Sequence, residues 1–165
     1  MIRSIGGISF IAFVLFFATN LAFSLPVNKL ITQLESSTKE KKTTECASLC
    51  VKLEEYARDK KDWPLAARAI SHGIVIDCML KKGSSEDNIR TLQKLVNKCK
   101  QPNLKTLLTM VLAEWYWGYY SARRSKFLDR SSVADEANAD VTTWDRDRLF
   151  QEIEGLFEKA AGSTD

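Results

Sequence analysis

Cys46, Cys50, Cys78, Cys99 and the single histidine, His72, are the residues whose types could bind a metal or supply a nucleophile. Structural zinc sites pair cysteines at C-x₂₋₄-C spacing on both sides of a loop. This chain has one C-x₃-C, Cys46 and Cys50, and its other cysteines are scattered, so no metal or other cofactor is expected. Nucleophilic cysteine chemistry needs a base or a lowered thiol pKa, and no second histidine and no C-x-x-C motif is present. A general base needs a positioned partner, which no motif gives His72, so it reads as a surface or partly packed side chain on the outer face of its helix. No glycine-rich phosphate loop, H-E-x-x-H or G-x-S-x-G occurs. The chain is therefore read as a protein that is not an enzyme.

The even cysteine count leaves either disulfides or small buried apolar side chains. If 45–60 and 64–80 form an antiparallel helix pair turning near Asp62, Cys46 and Cys78 lie equally far from the turn. A Cys46–Cys78 or Cys50–Cys78 bridge is then the expected pairing, at the Cα separation of about 4.4–6.8 Å that a disulfide requires.

The elements that would place these residues are all helical. The first 24 residues read as a secretory signal: Arg3 begins it, 8–22 are mostly apolar, and Ala22-Phe23-Ser24 fits a cleavage site. An uncleaved membrane anchor is the alternative. Residues 25–44 read as a polar linker or short helix, ending in the run SSTKEKKTT. A helical domain follows over 45–161. Leu49, Leu53 and Tyr56 share a face of its first helix, and Pro64 opens a second that carries Ala66, Ala69, Ile70, Gly73, Ile74 and Val75 inward. Ser84 or Ser85 caps a third, striped by Ile89, Leu92 and Val96. Asn103 is the expected cap of the longest element, Leu104 to Arg130, where Leu104, Leu108, Val111, Leu112 and Trp115 recur at helical spacing. Five aromatics between Trp115 and Tyr120 make this helix apolar nearly all round, so it needs cover on several sides. They read as packing core rather than as a platform for sugar or peptide. The basic residues Arg123, Arg124, Lys126 and Arg130 read as a solvated helix end. After a polar loop over 129–141, Thr142 with Asp145 resembles a capping box for a last helix with Leu149, Ile153 and Leu156 or Phe157 inward. The expected fold class is all-α: about five antiparallel helices in a tetratricopeptide-like array of helical hairpins around the aromatic helix, with no clean 34-residue repeat.

Net charge sets further bounds. The full chain has 24 basic and 21 acidic side chains and a formal charge of +3, and removing Arg3 with the leader lowers this by one. That balance gives no case for nucleic acid or an anionic membrane surface.

The run Trp115-Tyr116-Trp117-Gly118-Tyr119-Tyr120, followed by Arg124, Phe127 and Arg130, and then Thr143-Trp144-Asp145, resembles the amino-terminal helical region of bacterial alpha-2-macroglobulin family proteins. In that family an aromatic helix runs into an Asn-Arg-Trp-Arg-Phe stretch, and a later helix starts at Thr-Trp-Asp. Arg123 and Ser125 stand here where the family carries Asn and Trp. The resemblance spans roughly 45–161 and marks Trp115, Trp117, Tyr120, Arg124, Phe127, Arg130, Trp144 and Asp145 as family-motif and core positions. It implies an exported, non-enzymatic helical module, secreted or held in the periplasm or cell envelope, whose partner is another protein or the macroglobulin domains this chain lacks. The protease inhibition the family implies needs a bait region and a Cys-x-Glu-Gln thioester, and neither is present. A stand-alone tetratricopeptide-like scaffold that binds a peptide or protein is the alternative.

Overall fold

A computed structural model describes residues 25–128 and 140–162; the expected leader, 1–24, lies outside them. The described residues form seven α-helices and no strand. They divide into two compact units, the first reaching Lys82 and the second starting at Gly83. No described helix is long and apolar enough to cross a membrane.

The first unit is α1 (Leu25–Lys39), α2 (Thr43–Asp59) and α3 (Trp63–Leu80), each packed against the next. The stretch read as linker or short helix is thus a 15-residue helix, held by buried Val27 and Leu34, two turns apart on one face. The α2 face is Cys46, Leu49, Cys50, Leu53 and Ala57. On α3, Asp62 caps the start by accepting from the Leu65 N–H at 3.0 Å, and Ala66, Ala69 and Ile70 are buried. Helices α2 and α3 come close at Gly73, where an added Cβ would lie 3.6 Å from Cys50 Cβ.

Lysine sits in the left-handed region at each helix end of this unit: Lys41, Lys61 and Lys82, with φ of 58°, 56° and 55°. The first two turns are Schellman motifs. Lys42 N–H reaches Ser37 O at 2.9 Å and Lys41 N–H reaches Thr38 O at 3.2 Å. Asp62 N–H reaches Ala57 O at 2.8 Å and Lys61 N–H reaches Arg58 O at 3.1 Å. These bonds satisfy carbonyls that the helix end would otherwise leave open.

The second unit contains α4 (Ser85–Lys98), α5 (Pro102–Ala122), the short α6 (Arg124–Leu128) and α7 (Arg146–Ala161). Both α4 and α7 pack on α5. Ser84 caps α4 in a capping box with Asp87. Gln101, not Asn103, caps α5: its Oε1 accepts from the Leu104 N–H at 2.7 Å, and Pro102 fills the first helical position. The helix expected to run to Arg130 breaks at Arg123, whose φ of −127° is not helical, and α6 restarts beyond it. Asp145 caps α7 through the Arg148 N–H at 2.8 Å, so Thr142 is not the cap. Thr142 instead donates to Asp140 Oδ1 from its N–H and its hydroxyl, at 3.0 and 2.7 Å.

Asp140 is also clamped by Arg90 of α4, whose Nε and Nη2 reach its two carboxylate oxygens at 2.6 and 2.8 Å. Hydrogen bonding to Arg90, and then to Thr142, holds the Asp140 carboxyl well below its ordinary range despite some burial. This two-pronged pair fastens the chain entering α7 to α4.

Candidate functional site

The richest concentration of functional-type residues is the aromatic junction of α5, α6 and α7. Trp115, Tyr116 and Tyr119 are buried on α5, and Trp144, just before α7, is buried too. Tyr116 meets Trp144 with ring centroids 5.4 Å apart. Phe127 is buried in α6 and sits edge-on to Tyr119 at 5.9 Å and beside Tyr120 at 5.5 Å. These residues form core, as their burial dictates.

Trp117 departs from that pattern. It is 53% exposed, yet its ring lies 5.8 Å from Tyr120 and 6.0 Å from Phe150 of α7. Met110, two turns earlier on α5, is also exposed, as is Phe157, two turns after Phe150 on α7. Helices α5 and α7 run antiparallel, with Tyr116 and Trp117 of α5 near Trp144 and Phe150 at the start of α7. By their seven-residue spacing, Met110 and Phe157 fall on the same sides of their helices as Trp117 and Phe150, about 10 Å along each axis, so the four belong to one strip. Glu154 and Glu158 of α7 are exposed beside it, whereas Asp147 is paired with Arg146 at 3.0 Å. Glu114 lies half-buried between Met110 and Trp117, and burial raises its carboxyl pKa. The strip is an apolar surface with an acidic margin. Sequence reading missed it because Phe150 and Met110 had no motif, although the seven-residue spacing in both helices was visible.

The basic residues after the aromatic run separate. Arg123 stacks its guanidinium 4.3 Å from the Tyr119 ring centroid and pairs with Glu86 of α4 at 2.8 Å. One of the two residues that differ from the resembled motif thus ties α4 to the end of α5. Arg124, Ser125 and Lys126 are exposed, and Arg130 lies outside the described residues.

In the first unit, His72 is 8% exposed, which corrects the outer-face expectation. The α3 face is wider than its main stripe and takes in Ser71 and His72. Burial first, and then Arg68, lower the His72 pKa to about 4. Its Nε2 has no hydrogen-bond partner among the described residues.

No disulfide joins Cys46, Cys50, Cys78 or Cys99, so the expected bridge to Cys78 is not formed. The Cys50–Gly73 approach does bring Cys46 level with the Asp77–Cys78 end of α3. The Cys46 sulfur instead faces α1, 3.6 Å from Thr38 Oγ1. Burial, with Cys46 and Glu54 adding to it, pushes the Cys50 thiol up to about 12, which keeps it unreactive. No group of three or more His, Cys, Asp or Glu able to hold a metal is found among the described residues. No protein-family model, curated protein or solved structure matches this chain.

Proposed function

We propose that this chain is a non-enzymatic, exported helical module that works through protein–protein contact, of the kind found at the amino-terminal side of alpha-2-macroglobulin-like proteins. The observation that carries the contact reading is the Trp117–Phe150 couple, continued by Met110 and Phe157 on the same side of α5 and α7. Contact surfaces are enriched in exposed aromatic and methionine side chains, and a large exposed tryptophan is a frequent binding anchor. The acidic margin from Glu114, Glu154 and Glu158 favours a partner surface with basic residues around an apolar centre. The macroglobulin part rests on the aromatic helix and on Thr143-Trp144-Asp145 ahead of α7. Protease trapping itself would belong to other domains.

Reading the coding sequence downstream of Asp165 tests the family part: macroglobulin domains in a continuing or adjacent frame support it, and unrelated neighbours count against it. Where such domains are found, titrating them with this chain tests the contact. Trp117→Ala and Phe150→Ala should each weaken binding by roughly tenfold or more, the effect of losing a hot-spot side chain. Unchanged affinity in both variants would remove the strip from the interface.

A further inference from the structure

Away from the Trp117 strip, residues of α4, the first half of α5 and α7 line an open cleft of about 650 Å3. Its floor is apolar, from buried Val96, Leu112 and Leu156. Gln93 and Asn97, one turn apart on α4, add side-chain amides along one wall. Charge is distributed unevenly along its length. Lys100 in the α4–α5 turn, Lys105 in the first turn of α5 and Lys159 in the last turn of α7 all lie at one end. Glu152, two turns back along α7, lies toward the other end, about 10 Å away.

We propose that this cleft binds a short extended peptide segment with a carboxylate at the lysine end. The volume is within the range of about 300–1,000 Å3 typical of ligand sites. The distance between the two charged ends spans about three extended residues. Gln93 and Asn97 each offer both a donor and an acceptor, the complement of a peptide backbone, and the floor accepts small apolar side chains. Three lysines against one glutamate make an anionic terminus the favoured orientation. The carboxylate comes either from the peptide's own C-terminus or from an Asp or Glu side chain, and the probes separate these two sources.

The test uses fluorescence anisotropy of the whole chain with three N-terminally labelled pentapeptides. One is Gly-Ala-Leu-Ala-Leu as the free acid, one is its C-terminal amide, and one is the amide of Gly-Ala-Leu-Glu-Leu. Saturable binding by the free acid alone assigns a C-terminus, and binding by the Glu-containing amide assigns a side chain. The Lys105→Glu, Lys159→Glu double variant should weaken binding about tenfold or more, and the Lys105→Arg, Lys159→Arg variant should retain it. Raising the salt to about 1 M, where screening acts within about 3 Å, should also weaken binding. Trp117→Ala should bind as the wild type does, which separates the cleft from the contact strip. No saturable binding by any probe, equal binding by the amide without glutamate, or indifference to the double charge reversal would overturn the proposal.

Discussion

His72 gives the stability a defined pH dependence. Its folded-state pKa of about 4 lies below the ordinary 6.5, because burial disfavours the imidazolium and Arg68 adds repulsion. As pH falls through 6.5 the unfolded chain takes up the proton first. The stability tied to neutral His72 is therefore fully present above pH 6.5 and is lost between 6.5 and about 4. Over that window the wild type should lose about 3 kcal/mol more than His72→Gln in urea unfolding. Parallel curves for the two proteins would show that His72 is not held neutral. Tyr116 poses the related question for a hydroxyl. Its side chain is fully buried, its hydroxyl has no partner among the described residues, and burial drives its pKa up. An unsatisfied buried hydroxyl costs about 1–3 kcal/mol, so Tyr116→Phe should keep or raise the thermal midpoint. A fall of several degrees would mean that the hydroxyl is bonded after all.

The turns carry the stored strain among the helices. Lys41, Lys61 and Lys82 occupy a conformation in which a Cβ crowds the following carbonyl, and glycine does not suffer this. Lys61→Gly should stabilise the chain by about 0.5–1 kcal/mol in urea unfolding, since the relief of strain exceeds the added freedom of the unfolded chain. Destabilisation would show instead that the Lys61 side chain contributes through its own contacts. These turns also show why some helix limits were legible and others were not. Ser84 and Pro64 announced their helix starts through side-chain chemistry. The Schellman ends had lysine where the usual signal is glycine, so only backbone bonding revealed them. Asp145 displaced Thr142 as cap because Thr142 is drawn to Asp140, which Arg90 of α4 holds in place. That competition depends on a residue 50 positions away and has no local signature.

At the scale of the whole molecule, two tryptophans two residues apart have opposite roles. Trp115 is 3% exposed and Trp117 is 53% exposed. Trp115→Ala should cost about 3–5 kcal/mol, the range for emptying a core aromatic site, while Trp117→Ala should stay within about 1 kcal/mol of the wild type. Chemical unfolding of the two variants checks this, and similar losses in both would mean that Trp117 belongs to the core. The all-α class, the helical stripe of Leu104, Leu108 and Leu112, and the need to cover the aromatic helix were all determined by the sequence, because helical periodicity and burial preference are local properties. The sequence could not assign sides within the aromatic run. Consecutive helical positions point about 100° apart, so which ring is enclosed depends on where α4 and α7 lie on α5. Tertiary structure alone decided that Trp117 faces outward beside Phe150, that His72 is buried, that Cys46 faces Thr38 and that a polarised cleft opens above Leu112. Each of these is set by packing between helices distant in sequence.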